Sequence, residues 1–474
     1  MIRILFIVPP STDRLVVEKD REVNDATGTY PPLGLMYIAT HAREQLQGNA
    51  DVRIIDCSVG AWDDDSFRRA LGEADPHVVG MTVFTPSIFE TKRALETIKA
   101  VVPDCVTVIG GPHVTAFGPD ALCLPEIDYG IMGYGEVSFL RLLDALFFGG
   151  RLEEVHGLLF RSDGRVVAQP MRNDLVRLDE LPIPDRTLVP FREYRCPIGT
   201  RDVMTTLISS RGCPYLCTFC NSGDKKYRAR NMESVLQEVK YLAGLGIREL
   251  FFFDDLFNLN NKRVFEFCEL LRRDAVEITW GFKSRVSSVQ EDLVRAVKAA
   301  GCERIHFGLE THTDESLKAL KKQITVGQIR NAVALCHKYK INCVGSFMIN
   351  LPGDTREEIR QRISFANSLE LDYNQFGVLI AFSHTDIFRQ GVEAGHWPAD
   401  LWLKFIRNPT PDFLPPIWPN GIPREELYAM VREGLSEFYL KPAYVYQRLK
   451  NIHSLDEVKK YARGALKLLR FRRR

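Results

Sequence analysis

Val203-Met-Thr-Thr-Leu-Ile-Ser-Ser-Arg-Gly-Cys213-Pro-Tyr-Leu-Cys217-Thr-Phe-Cys220-Asn221 sets three cysteines directly behind an apolar run with strand character. Thiolates are the usual ligands of iron–sulfur clusters, and three close ones hold three irons and leave a fourth open. A ferredoxin-type cluster would want a fourth cysteine, yet the nearest, Cys196 and Cys268, are distant in sequence. Zinc would also want a fourth ligand, and no histidine lies nearby. The competing readings are a structural metal site and three buried thiols that are adjacent by coincidence. An open iron is what chelation of a small molecule requires. The other eight cysteines (Cys57, Cys105, Cys123, Cys196, Cys268, Cys302, Cys336 and Cys343) are scattered. Several sit in strand-like or helix-like patterns, where a free thiol acts as a small hydrophobe. An odd total of 11 without a secretion signal predicts a reducing, cytoplasmic setting.

Downstream of this segment, strands are predicted at 203–209, 249–254, 277–283, 304–309, 341–349 and 373–381, with helices near 232–245, 262–273, 290–300, 326–339 and 356–368. Six βα units imply a partial (β/α)6 barrel. Upstream, short apolar runs again alternate with amphipathic ones. Strands are expected at Ile2–Val8, Val52–Asp56, Val78–Val83, Thr107–Ile109 and Tyr129–Met132, with helices between them. That alternation predicts a parallel, doubly wound, flavodoxin-like (Rossmann-like) sheet that binds its ligand at the carboxyl ends of the strands. The expected organisation is thus 1–150 as one domain, 151–199 as a linker with a hairpin, 200–384 as the barrel, and 385–474 as a mainly helical C-terminal region. Leu181-Pro-Ile-Pro-Asp185 is too stiff to join a central strand and supports the linker. The apolar run at the N-terminus stops at Pro9-Pro10, too short for a membrane span. A net charge of +1 predicts no attraction to nucleic acid.

The cysteine segment resembles the radical S-adenosylmethionine superfamily. The resemblance implies a [4Fe–4S] cluster on Cys213, Cys217 and Cys220, whose open iron chelates the amine and carboxylate of S-adenosylmethionine. One electron then yields a 5′-deoxyadenosyl radical. Phe219 matches the position that packs on adenine. Asp254-Asp255, behind the second strand, stands where the family often has Gly-Gly-Glu and implies a contact to the methionine amine from one of the two. A helix N-cap is the competing role for Asp255. Arg285 implies a fork to the methionine carboxylate, with a surface ion pair as its alternative. Glu310, in Gly-Leu-Glu, implies a contact to the ribose hydroxyls. Met348-Ile-Asn350-Leu-Pro352-Gly353-Asp354 matches the family's Gly-Leu-Pro-Gly-Glu turn, with Asn350 and Asp354 as departures.

Tyr30-Pro-Pro-Leu-Gly34, Gly110-Gly111-Pro-His113 and Gly133-Tyr-Gly135-Glu136 follow one another at predicted strand ends or helix starts. Together with the barrel they resemble the cobalamin-binding radical S-adenosylmethionine family, class B methyltransferase type, over about 450 residues. These residues and Thr82 are the implied cobalamin contacts. Asp75-Pro-His77-Val-Val-Gly80 fits a cobalt-ligand pattern but precedes the third strand, at the wrong end of the sheet, so His77 is not assigned to cobalt. The loop after the first strand has no histidine, so the implied cobalamin lacks a lower histidine ligand. The resemblance predicts methylation of an unactivated carbon on a small-molecule or lipid-like substrate, with a reductase, flavodoxin or ferredoxin as electron donor. The alternatives are cyclisation or C–H oxidation with the same cofactors, a corrinoid or electron carrier without catalysis, and a first domain that is only scaffold. Lys459–Arg474 holds eight basic residues and no acid, with Tyr461, Ala465, Leu468 and Leu469 on one helical face. It predicts peripheral contact with an anionic membrane at the inner face; packing of that helix on the domain is the alternative. His384, Trp397, Trp402, Trp418, Asn374 and Gln375 give no functional signal by themselves.

Overall fold

Ile2-Arg-Ile-Leu-Phe-Ile-Val8 is apolar at nearly every position, and such a strand is stable in a parallel sheet only when both faces are covered. It forms β1 (Ile2–Val8), inside a seven-stranded sheet. The structure is a computed structural model that describes residues 1–10, 28–174, 177–196, 198–199, 201, 203–221 and 223–450. The chain divides into two units. The first comprises Met1–Thr206, Arg228–Ser234 and Ala399–Leu414; the second comprises Leu207–Tyr227, Val235–Pro398 and the described residues from Pro415 on.

In the first unit, β1 is joined by β2 (Ala50–Asp56), β3 (Val78–Thr82), β4 (Val106–Gly110) and β5 (Tyr129–Ile131) in the parallel order β2-β1-β3-β4-β5. This is the flavodoxin-like order, and it reverses direction between β1 and β3. Ile4, Phe6, Val78, Val108, Ile131, Phe139 and Leu142 form much of its core. Gly80 makes room for Phe6, since a Cβ there would stand 2.7 Å from the ring. The hairpin that the sequence places in a linker extends this sheet instead. β6 (Leu158–Ser162) pairs antiparallel with β5, and β7 (Arg165–Ala168) pairs with β6. Leu158, Leu159 and Phe160 are buried there, so pairing them covers the edge of β5.

A six-stranded sheet follows along the chain. Along the chain come β8 (Met204–Leu207), the short β9 (Ser210–Arg211) and β10 (Arg228–Ala229), then β11 (Glu249–Phe252), β12 (Thr279–Ser284), β13 (Cys302–Glu310), β14 (Asn342–Ile349) and β15 (Tyr373–Val378). The sheet order is β15-β14-β13-β12-β11-β8, and β11 to β15, all in the second unit, pair in parallel. This is the expected partial barrel. Helices Val326–Lys338 and Arg356–Ser368 start at capping boxes, Thr325 with Gln328 and Thr355 with Glu358, which satisfy otherwise orphaned N–H groups. Strand alternation sends Phe252, Trp280 and Phe282 outward, where they pack with Phe257 and Phe267 at ring separations of 4.3 to 5.9 Å. The opposite residues face the barrel interior.

The C-terminal section does not form one region. Helix Leu401–Arg407 belongs to the first unit, where Trp402 meets Phe413 and Arg407 pairs with Asp120 at 2.9 Å. Helix Arg424–Tyr439 belongs to the second, where the Tyr439 hydroxyl brackets the backbone of Asn374. Among the described residues, no helix is long and apolar enough to cross a membrane. The basic tail, Lys459–Arg474, lies outside the described residues.

Candidate functional site

Strands that end at the mouth of a parallel barrel expose their last side chains and the loops that follow, so polar groups gather there. The cysteine loop leaves β9 at Arg211 and is held by backbone bonds. Cys213 N–H donates to Asp224 O (3.0 Å), Cys220 N–H to Cys217 O (3.1 Å), and Thr218 N–H to Leu320 O (3.0 Å), at the end of the short helix Asp314–Ala319. All three cysteines are free thiols; Cys213 and Cys217 are half-buried and Cys220 is exposed. Among the described residues no three His, Cys, Asp or Glu side chains are gathered to hold a single metal ion.

The two aspartates behind β11 have different fates. Asp254 is buried and accepts bonds from Ser209 N–H (2.7 Å), Ser209 Oγ (2.6 Å) and Ser210 Oγ (2.5 Å). Burial raises its pKa even against those donors. Asp254 therefore braces the strand that leads into the cysteines. Asp255 is exposed, and its Oδ2 accepts from Gly212 N–H (3.0 Å), the residue before Cys213. It caps no helix, since Asn260 holds that place for helix Asn261–Arg273.

Arg285 follows β12 and is 7% exposed, so a surface ion pair is not its role. Its guanidinium lies 3.7 Å over the Tyr215 ring, and one nitrogen stands 3.9 Å from Cys217 Sγ. Its Nε and a terminal nitrogen are buried without a partner. A buried guanidinium with unsatisfied donors costs free energy until an acceptor arrives, and a carboxylate is the acceptor whose geometry fits it. Glu310 ends β13 in the left-handed region at φ 65°, unusual for a residue other than glycine or asparagine. Lys322 pairs with it at 2.5 Å and lies 5.6 Å over the Phe219 ring. Glu310, Lys322 and Phe219 are thus one group, and Lys322 was not foreseen because no local pattern links it to a strand 12 residues earlier.

The departures in the turn after β14 are structural. Asn350 sits at φ 68°, a conformation that asparagine tolerates in place of glycine, and its side chain bonds Trp418 O and Asn420. Asp354 receives a two-pronged bond from the buried Arg362 (2.6 and 2.7 Å), which also reaches Thr311 and Met348 O. Inside the barrel, Arg304 pairs with Glu249 at 3.3 Å, both nearly fully buried.

In the first unit, Thr82 and Gly110 end β3 and β4, and Gly111 follows at φ 94°. A Cβ on Gly111 would stand 2.8 Å from Thr82 Cγ2 and 3.1 Å from Val83 O, so only glycine allows this turn. Gly133 adopts φ 76°, and its N–H donates to Thr115 Oγ1 at 2.9 Å. A Cβ on Gly34 would meet nothing within 4 Å. A Cβ on Gly133 would meet Asn173 Oδ1 and Met171, so of these glycines Gly34, at the start of helix Leu33–Leu46, is the one that borders open space. Tyr30 lies nearby in sequence, with its hydroxyl 3.5 Å from Cys196 Sγ. Three expected contacts point into the fold instead. Gly135 lets two helices touch, since its Cβ would meet Ile38 at 2.9 Å; Glu136 is buried in the first turn of its helix. His113 is fully buried; its Nδ1 is 3.1 Å from Thr85 Oγ1, its Nε2 has no partner, and burial lowers its pKa to about 4. His77 accepts from Arg3 N–H at 2.9 Å, which ties it to the start of β1 and away from the ligand end.

Comparison with known proteins follows this division. Residues 207–366 match the radical SAM superfamily, and residues 23–143 match the B12 binding domain. The chain is 32% identical to an uncharacterized methyltransferase of Pyrococcus horikoshii over 480 aligned residues, covering 99% of each chain. It is 27% identical to the anaerobic magnesium-protoporphyrin IX monomethyl ester cyclase of Rubrivivax gelatinosus, covering 94% of this chain and 79% of that one. In fold it resembles the radical S-adenosylmethionine methyltransferase TsrM of Kitasatospora setae, solved with cobalamin and a [4Fe–4S] cluster bound, at a TM-score of 0.72 and 18% identity over 100% of this chain and 99% of that one.

Proposed function

The chain belongs to the cobalamin-binding radical S-adenosylmethionine enzymes, and from that premise we propose that it methylates an unactivated carbon of a small organic substrate. When bound, the cluster supplies the electron that breaks the sulfur–C5′ bond of S-adenosylmethionine, and cobalamin carries the methyl group. Cys213, Cys217 and Cys220 hold the cluster. Arg285 binds the methionine carboxylate through the donors that now lack partners. Asp255 binds the methionine amine, because Asp254 is already engaged by the two serines. Glu310, held by Lys322, receives the ribose hydroxyls, and Phe219 packs on adenine. Tyr30, Gly34, Thr82, Gly110, Gly111 and Gly133 form the rim for cobalamin, with His113, Gly135 and Glu136 behind it. A flavodoxin, ferredoxin or reductase supplies the electron, and the basic tail rests on an anionic membrane if the substrate is lipid-like.

The observation that carries methyl transfer is the end-to-end likeness to a methyltransferase at 32% identity. A second reading, ring formation without methyl transfer, draws on the likeness to the cyclase. Anaerobic reconstitution with iron, sulfide and hydroxocobalamin tests the premise: about four irons and one cobalt per chain are expected, with iron alone lost when the three cysteines become alanine. Turnover with a candidate substrate then separates the readings. Methyl transfer releases S-adenosylhomocysteine beside 5′-deoxyadenosine and methionine, whereas ring formation releases only the latter two.

A further inference from the structure

Ser346 and Gln375 lie on the inner face of the barrel and take no part in the proposed cofactor binding. On β14 and β15 successive side chains face opposite ways. Phe347 and Phe376 pack on each other at 5.9 Å, and Phe347 meets Phe365 of helix Arg356–Ser368 at 6.2 Å, so theirs is the outer face. The inner face carries Ser346 beside Gln375 and, one step nearer the mouth, Met348 beside Gly377. Phe347, Ile349, Asn374 and Phe376 are buried, whereas Ser346, Met348 and Gln375 are half-buried and Gly377 is exposed. The inner face therefore borders an open lumen.

The wall they form is built to meet a ligand. Ser346 Oγ donates to Gln375 Oε1 at 3.1 Å, and the Gln375 amide nitrogen has no partner among the described residues. A carboxamide held by its oxygen presents its two N–H donors. Gly377 has no left-handed backbone and no neighbour within 4 Å of where its Cβ would stand, so neither conformation nor packing calls for glycine. A glycine inside a strand weakens it, and what this one leaves is space for close approach. The wall also borders the cofactor site. Gly308 of β13 pairs with Ser346, which pairs with Gln375, and Glu310 Oε1 and Lys322 Nζ lie where a Gly308 side chain would stand. Glu310, which receives the ribose hydroxyls in the proposed function, is thus next to Ser346 along one row of the sheet. The four residues of the wall are all uncharged.

We propose that Gln375, oriented by Ser346, binds a neutral carbonyl oxygen of the substrate, as in a carboxamide or ketone, with the substrate body lying over Gly377 beside the Met348 thioether. The subsite rests on the proposed function and narrows it to uncharged, carbonyl-bearing substrates. Gln375 Nε2 donates to the carbonyl oxygen, and Ser346 keeps the carboxamide from turning its own oxygen toward it.

The test uses full-length protein reconstituted with cluster and cobalamin and saturated with S-adenosylhomocysteine, so that the cofactor site is filled. The probes are para-fluorobenzamide, para-fluorobenzoate and para-fluorotoluene, titrated by fluorine NMR. The amide binds the wild type more tightly than the other two. Gln375→Leu weakens the amide by about tenfold and leaves the toluene as it was. Gln375→Glu keeps the shape and the bond from Ser346 but loses the donors, and it weakens the amide to the same extent. Ser346→Ala weakens the amide by about threefold without changing the toluene, and Ser346→Thr restores it. Gly377→Leu fills the space and weakens amide and toluene alike. No binding of the amide to the wild type, equal or tighter binding of the toluene or the benzoate, or an unaltered Gln375 variant overturns the subsite. Should Gln375→Leu fail to fold, Gln375→Glu decides alone. Iron and cobalt contents of the same samples report on the proposed function separately. Loss of cobalt binding with amide binding that still depends on Gln375 sinks that function and spares the subsite.

Discussion

The two sheets end in different chemistry. The strand ends of the first unit offer glycines and one threonine, with the titratable groups His113 and Glu136 turned inward. The strand ends of the second offer Asp255, Arg285, Glu310 and Lys322, each a charge fixed by a neighbour or waiting for one. The difference follows from ligand size. A large flat ligand is recognised by backbone shape, for which side chains must be absent. A small zwitterion is recognised by point charges, for which side chains must be placed and braced.

The comparison predicts that removing a brace in the second unit costs more than any change on the rim of the first. Arg362→Met leaves Asp354 buried and unpaired and is expected to destabilise the barrel unit by about 3–5 kcal/mol, read by chemical denaturation. A loss under 1 kcal/mol would mean the fork is dispensable. Next in size is the pH response of His113. Its pKa falls from 6.5 to about 4 on burial, so the folded state holds the neutral ring. The unfolded chain binds the extra proton between those values, so this stability is complete above about pH 6.5 and is lost as pH falls toward 4, about 3 kcal/mol in all. His113→Gln should flatten that window in acid-unfolding curves; an unchanged slope would place the loss on other groups.

Arg285→Met should weaken S-adenosylmethionine by about 2 kcal/mol, some thirtyfold, in equilibrium binding, without lowering the melting temperature. Asp254→Asn and Asp255→Asn sharpen the contrast within one loop. The first should lower stability, and the second should lower cofactor affinity by about 1–2 kcal/mol; the reverse pattern would exchange their roles. The smallest effect belongs to the rim. Gly111→Ala should cost about 1–2 kcal/mol through the left-handed turn and the contact with Thr82, together with cobalt content after reconstitution.

Much of this was legible in the sequence because it is local. Six βα units, five upstream strands and the three cysteines depend on periodicity and spacing along the chain, which survive folding unchanged. The sequence also brought Arg285 and Glu310 to strand ends, because strand length fixes where a side chain emerges. It could not distinguish Asp254 from Asp255, since adjacent residues differ only in which face of the fold they meet, and Ser209 and Ser210 make that difference from another strand. Likewise only lateral pairing could join the hairpin to the first sheet and divide the C-terminal section between two units. The same holds inside the barrel. Charge was visible in Lys283, His306, Arg304 and Glu249, but partnership was not. Which cations are neutralised depends on strand register, and register is set by the buried faces of several distant segments together.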